Sequence, residues 1–263
     1  MATTSIIICS IDAAKFARVC ANYHSLFAER EVEIVGIHDA RSLAEGYNRG
    51  VARAHGDIVI LSHDDIEILS PDFALRVSDA LAHFDLIGIA GTTRVVAGKW
   101  SSAGDPFVYT LISSPNREDG GYGTALLGGA PLVVPGIQAL DGVFMAMHRE
   151  VAVATPFDGD VFDGFHLYDL DFSFRAYQAG FRLAVCRDIV LIHESTGRYD
   201  PVWAEYKQRF ERKHVAHLPT TWNAKEGARA SFAARSKEEI MRRCNSDELT
   251  RIALQIGRAN ASL

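Results

Sequence analysis

The sequence predicts an α/β protein whose mostly parallel mixed sheet is flanked by helices and followed by a helical C-terminal appendage. Three observations carry that reading. Short β-branched apolar runs alternate with helical patterns through the first half of the chain, the mark of right-handed βαβ units and parallel pairing. The chain has 263 residues, 48% of them hydrophobic, enough to bury a core that folds unaided. Beyond Pro219 the composition turns polar and helical, which divides the chain into a main domain over 1–219 and a helical extension over 220–263.

Taken in order, Ser5–Cys9 is an almost wholly apolar run of the kind that parallel sheets bury on both faces. Ala13–Ala28 reads as a helix and Val32–Ile37 as the second strand. Ser42-Leu43-Ala44-Glu45 is a capping box, in which the serine oxygen accepts an early amide while the glutamate reaches back. The helix it opens should run to about Ala54, with Gly56 as its stop. Asp57–Ser62 is another buried strand. Ser70-Pro71 supplies an N-cap and an N1 proline for a helix reaching about Phe84, and Leu86–Ala90 is a further strand.

From Gly91 to Gly136 glycine, serine, proline and aromatics scatter without a sustained period. A stretch that long is either a functional loop system or a small irregular sheet. Leu140–Met147 restores a strand. Asp169–Ala179 is helical and closed by Gly180; Phe181–Cys186 and Ile189–Ile192 are strands, the second ending at His193. Asp200-Pro201 opens a helix to about His214. In the extension, Ser236-Lys237-Glu238-Glu239 is a second capping box, and ELTRIALQI has helical apolar spacing.

Composition narrows the partners. Lys and Arg total 27 against 33 Asp and Glu, a net charge of −6. That balance argues against nucleic acid or an anionic membrane as the main partner. No apolar run approaches the roughly 18 residues of a membrane span. The N-terminal MATTSIIICSIDAAK lacks the basic start of a signal peptide, so a cytoplasmic location is expected. Cys9, Cys20, Cys186 and Cys244 stand far apart with no C-x-x-C, which argues against a zinc ribbon or a disulfide framework.

Three segments hold residues with chemistry. In Leu61-Ser62-His63-Asp64-Asp65-Ile66 a histidine and two acids stand where a buried strand ends. Ligands of open α/β sheets collect at such carboxyl ends. Adjacent carboxylates repel when desolvated, a cost that a divalent cation offsets; a solvated turn before the next helix accounts for the same residues. In Tyr168-Asp169-Leu170-Asp171 two acids stand at a helix start, either because the dipole favours negative charge there or because one of them is a general base. His193 follows an apolar strand, as a metal ligand through a neutral ring nitrogen or as a structural histidine. Trp100, Tyr109 and Tyr122 in the irregular region are either local core or faces on which a sugar stacks.

The order of these segments resembles the GT-A glycosyltransferases, specifically the family 2-like group, over Ser5 to His217. The residues that carry the resemblance are Ser42-Leu43-Ala44-Glu45-Gly46-Tyr47-Asn48-Arg49-Gly50, similar to the family's first long helix with its N-x-G, and the Ala54-His55-Gly56-Asp57 lead into a strand. Ser62-His63-Asp64-Asp65 is similar to the metal-binding D-x-D. Leu140-Asp141-Gly142-Val143-Phe144 follows, then Tyr168-Asp169-Leu170-Asp171-Phe172-Ser173-Phe174-Arg175, which looks like the family's E-D-x-D-x-S-x-R; His193 completes the set. The chain departs from the pattern at three points: His63 holds the first D-x-D position, Tyr168 stands where a Glu is usual, and His38-Asp39 keeps only the second of two acids.

What the resemblance implies is a GT-A, Rossmann-like fold and inverting transfer of a sugar from a nucleotide-diphosphate sugar to an acceptor hydroxyl. A divalent metal, Mn2+ or Mg2+, would be held by Asp65 and His193 with Asp64 close by. Asp169 would be the base. Ser10, Asp39, Asn48, His63 and Asp64 would contact the donor nucleotide, while Asp141, Gly142, Trp100 and Asp171 would border the acceptor, a carbohydrate or another hydroxyl compound. The helices beyond Thr220 would pack on their own domain or on a second copy of the chain.

Other classes compete. A non-catalytic GT-A-like module binding a nucleotide sugar or glycan is motivated by His63 and Tyr168. A nucleotidyltransferase would need a Gly-rich basic loop after the first strand, and Ile11-Asp12-Ala13-Ala14-Lys15 offers none. A dinucleotide-dependent oxidoreductase would need a G-x-G-x-x-G turn at the same place.

Overall fold

The chain starts as a βαβαβ unit. In the computed structural model, which describes residues 2–27, 30–195, 197, 199–261 and 263, it comprises β1 (Thr4–Cys9), α1 (Ala13–Leu26), β2 (Val32–Ile37), α2 (Leu43–Arg53) and β3 (Ile58–Ser62). β1 pairs in parallel with both neighbours, Ile6 standing opposite Ile34 and Ile60. Ile6, Ile7 and Ile8 are all fully buried because helices cover both faces, each side chain stabilising the fold by about 1.5–3 kcal/mol. The carboxylate of Asp12 caps α1, and the hydroxyl of Ser42 caps α2 by accepting from the Glu45 amide. Glu45 reaches back to the Arg41 amide at 3.1 Å, closing the box one residue earlier than the usual form. The expected end of the first helix at Ala28 lies outside the described residues.

β4 (Ile66–Ile68), α3 (Phe73–Leu81), β5 (Leu86–Gly88), β6 (Ala90–Thr92), β7 (Val108–Pro115), β8 (Tyr122–Leu127), β9 (Val133–Ile137), β10 (Ala139–Leu140) and β11 (Phe144–His148) follow. Then come α4 (Arg149–Ala154), α5 (Tyr168–Gln178), β12 (Leu183–Cys186), β13 (Leu191–His193), α6 (Pro201–Lys213), β14 (Ala230–Ala234), α7 (Lys237–Arg243) and α8 (Ser246–Ala259). The large sheet has the order β2-β1-β3-β11-β5-β12-β9, and the smaller one runs β10-β6-β7-β13-β4, with β8 on β7 and β14 on β8. Pairing in the large sheet is parallel except where β11 lies antiparallel between β3 and β5 and β9 closes the edge. α2, α4, α5 and α6 cover one of its faces and α1 and α3 the other.

Among the described strands the chain passes between the sheets seven times, at β3–β4, β4–β5, β5–β6, β8–β9, β9–β10, β10–β11 and β12–β13. Two of those crossings carry His63-Asp64-Asp65 and Asp141-Gly142, and β13 ends at His193. The crossings also explain where sequence patterns mislead. Leu86–Ala90 is two strands, because Ile89 carries the chain from one sheet into the other. Leu140–Met147 is likewise broken at Asp141-Gly142-Val143, where two amides turn from the ladder to carboxylates: Gly142 donates to Asp169 and Val143 to Asp141. Ser70 does not cap a helix. Its hydroxyl accepts from the Val190 amide at 2.9 Å, and α3 begins three residues later, after an Asp72 whose side chain makes no cap bond.

The irregular region proves to be mostly sheet: it holds β7, β8 and part of β6 of the smaller sheet, and most of β9, which edges the large one. Residues 220–263 add β14 as well as helices, and the apolar side chains of α7 and α8, Ile240, Leu249 and Ile256, pack on Leu111, Leu126, Val190 and Ile192 of the same chain. The buried Asp105 fastens this segment by accepting from the Gly227 amide and from Arg229. Among the described residues no helix is long and apolar enough to cross a membrane.

Candidate active site

A cavity of about 600 Å³ is lined by His63, Asp141 and Gly142 from the crossings, by His193 at the end of β13, by the first turn of α5, and by Trp100, Tyr199 and Trp203. Two groups of polar side chains meet there.

The first surrounds Asp65. Because β13 runs antiparallel to β4 with His193 opposite Ile66, the histidine comes to rest beside the acid that precedes β4. Asp65 Oδ1 lies 3.3 Å from His193 Nε2 and 3.9 Å from His63 Nδ1, and the two imidazole centroids are 5.5 Å apart. One ligand atom from each of the three residues falls within 4.8 Å of the others. Burial opposes ionisation of Asp65, but the hydrogen bond and charge of His193, with help from Ser195 and His63, hold its carboxyl far below the ordinary range. Burial and the nearby His193 lower the pKa of His63, which keeps that ring neutral. An ionised carboxylate with two imidazoles is a donor set for a divalent cation, so these three residues fit one.

The second group surrounds Asp169. Leu167, the residue before α5, has φ +60°, a left-handed conformation unusual for a residue with a side chain. It sets the entry of the helix, so that Tyr168 and Asp169 border the cavity. Asp169 accepts from the Gly142 amide at 2.7 Å. Burial, reinforced by the charge of Asp141, pushes the Asp169 carboxyl up to about 7. Asp141 is itself held by the Trp100 indole, which donates to it at 2.8 Å. A side chain at 142 would bring its Cβ within 2.5 Å of the Tyr168 hydroxyl and 2.7 Å of Asp169 Cβ, so the site requires glycine there.

Other residues singled out in the sequence lie outside this cavity. Ser10 and Asp64 are bonded to each other at 2.6 Å, so His63 rather than Asp64 joins the Asp65 cluster. Asp39 is mostly exposed and paired with Arg49 at 2.8 Å. His38 is bonded to the Ser10 carbonyl at 2.9 Å. Both ends of the Asn48 amide are bonded to the Phe157 backbone, which pins the segment ahead of α5. Asp171 is fully buried and paired with Arg175, Lys213 and His214, each at 2.8 Å; it clamps α5 to the end of α6 rather than lining the cavity. Tyr109 lies beneath the buried guanidinium of Arg187, and Tyr122 packs in the cluster under α7 and α8.

Sequence reasoning missed the contact between two positions that depart from the family pattern: His63 Nε2 stands 3.0 Å from the Tyr168 hydroxyl. No local signal could have shown it, since 105 residues separate the two. It also missed the cavity rim of Phe165, Tyr199 and Trp203, where Tyr199 meets Trp203 edge-on at 5.0 Å and carries the Lys99 ammonium 3.9 Å above its ring.

Residues 5–217 match a glycosyltransferase-like family. No curated protein shows significant similarity to the chain. Among solved structures it is similar to the mannosyltransferase PcManGT from Pyrobaculum calidifontis, in complex with GDP-Man and Mn2+, at a TM-score of 0.50 and 14% identity over 99% of this chain and 74% of that one. It is also similar to GalNAc-T7 with UDP, GalNAc and Mn2+, at a TM-score of 0.48 and 13% identity over 83% of this chain and 52% of that one. S. aureus TarS 1-349 gives a TM-score of 0.43 and 10% identity over 82% of this chain and 72% of that one. At such identities the likeness is one of fold.

Proposed function

Since the chain belongs to this glycosyltransferase-like family and has the GT-A fold, we propose that it is an inverting, metal-dependent glycosyltransferase moving a sugar from a nucleotide-diphosphate sugar to an acceptor hydroxyl. One observation supports this most. A single cavity is bordered on one side by a cation-ready cluster and on the other by a carboxylate whose pKa is raised to about 7.

A divalent cation bound at Asp65, His193 and His63 would supply charge to the departing diphosphate. Asp169 takes the proton of the acceptor hydroxyl as its oxygen attacks the anomeric carbon, and the bond from that carbon to the diphosphate breaks with its electron pair leaving on the diphosphate oxygen. A base near neutrality suits this step, since it is ionised at working pH yet still basic; such help is worth about 10²–10⁴-fold in rate. Asp141 and Trp100 fix the approach to Asp169, and Gly142 leaves the space for it. Ser10, Asp39 and Asp64 lie just past the carboxyl ends of β1, β2 and β3, where an open α/β sheet receives a nucleotide. Asn48 serves this region indirectly, through the Phe157 backbone. Residues 1–219 are read as the transferase domain and 220–263 as its extension. Donor hydrolysis and transfer, measured with Mn2+ and then with chelator, test the proposal. Turnover that chelator abolishes is expected; cation-dependent nucleotide binding without any turnover would instead favour a non-catalytic binding module.

A further inference from the structure

The contact between His63 and Tyr168 reaches further than a core hydrogen bond, because of which atoms it uses. The His63 ring directs Nε2 at the Tyr168 hydroxyl, 3.0 Å away, and Nδ1 toward Asp65. The second separation, 3.9 Å, is too long for a hydrogen bond but is one that two ligands of a single ion can share. Among the described residues Nδ1 makes no hydrogen bond, and its neighbours Asp65 and His193 carry the other two donor atoms of the cluster. Tyr168 is buried at the head of α5 and offers an oxygen that can accept a hydrogen bond. A histidine ligand commonly donates its second ring N–H to such a partner, which fixes the tautomer and orients the ring.

We infer that Tyr168 and His63 act as a unit: the Tyr168 oxygen accepts a hydrogen bond from the Nε2–H of His63 and so leaves the Nδ1 lone pair free for the ion that Asp65 and His193 hold. The result is a site of two imidazoles and one carboxylate that selects Mn2+ over Mg2+. Magnesium favours oxygen ligands and parts with water reluctantly, whereas imidazole suits transition ions. His63 is then a metal ligand and Tyr168 a positioning residue, and the two departures from the motif are two halves of one device. The inference deepens the metal-dependent reading proposed above, but it concerns binding of the ion alone and does not need a sugar to move.

The test is therefore made on the full chain without donor. Mn2+ binding is followed by its paramagnetic signal, with Mg2+ as competitor, and the coordinated nitrogens are counted by spin-echo modulation. The wild type should bind one Mn2+ at least about tenfold more tightly than Mg2+ and show two imidazole nitrogens. Tyr168→Phe keeps the ring but loses the acceptor; it should weaken Mn2+ binding by about 10–100-fold and leave Mg2+ nearly unchanged. His63→Asp should show one nitrogen and a narrowed Mn2+/Mg2+ ratio, and circular dichroism of both variants checks their folding. A wild type that binds no Mn2+ or shows one nitrogen, or a folded Tyr168→Phe that binds Mn2+ like the wild type, overturns the inference. Loss of transfer with the metal results intact would overturn the catalytic reading alone.

Discussion

Asp169 lines the cavity and Asp65 stands behind the His63 and His193 rings that line it; burial makes ionising either acid costly, yet their surroundings push them in opposite directions. Asp65 meets two imidazoles and the Ser195 hydroxyl, and its carboxyl is held far below the ordinary range. Asp169 meets the Gly142 amide and a second acid, Asp141, and its carboxyl rises to about 7. Burial works the same way on both, so the partners decide the difference. The comparison teaches a division of labour: the acid with imidazole and hydroxyl partners stays ionised and suits an ion, while the acid with an anionic neighbour can exchange a proton.

The strongest way to break the comparison is to remove the exchangeable proton. Asp169→Asn retains an oxygen for the Gly142 amide, and transfer should fall by about 10²–10⁴-fold; steady-state assay at saturating donor would show it, and near-normal turnover would remove Asp169 as the base.

A smaller effect sharpens the role of Asp141. In the wild type the rate should rise with pH through about 7 as Asp169 loses its proton. Asp141→Asn takes away a repelling charge, so the rising limb of the pH–rate profile should move to lower pH; an unmoved limb would mean that burial alone sets it.

The same shift has a consequence for stability. Asp169 holds its proton more tightly folded than unfolded, so the fold binds more protons than the unfolded chain between the ordinary carboxylate range and about pH 7. Stability from this group is present at low pH and lost as pH rises through that window. Without added metal, Asp169→Asn should therefore melt higher than the wild type at pH 8, with the gap closing near pH 4. A gap that does not change with pH would contradict the assignment.

The smallest change concerns space. In Gly142→Ala the new methyl meets the Tyr168 hydroxyl and Asp169, which should destabilise the fold by about 1–3 kcal/mol in denaturant titration.

Much of the large sheet was legible because its signals are local. The run at Ser5–Cys9 is buried between two parallel neighbours, the run at Val32–Ile37 forms the half-buried edge beside it, and Ser42, Asp200 and Ser236 do cap the helices that follow them. β4, β6 and β10 were not legible, since strands of two or three residues have no period to read and are made by the crossings between sheets. The site divides in the same way. Asp65, Asp169 and His193 could be picked out because each closes or opens a regular element. Asp171 stands in the same helical turn as Asp169 and reads like it; its partners Lys213 and His214 come from another helix, and only the fold shows that it is spent on packing. His63 and Tyr168 looked like two unrelated departures until the structure placed them in contact.

The claim on which all of this depends is that Asp65 serves binding and Asp169 serves chemistry within one cavity. A single crossed experiment tests it: titrate a nucleotide-diphosphate sugar, with and without Mn2+, into Asp65→Ala and Asp169→Asn, and measure transfer by both. The account predicts that Asp65→Ala loses the Mn2+-dependent part of donor affinity, whereas Asp169→Asn binds donor as the wild type does and fails to transfer. Equal loss of donor affinity in both variants, or transfer by Asp169→Asn at the wild-type rate, would contradict it.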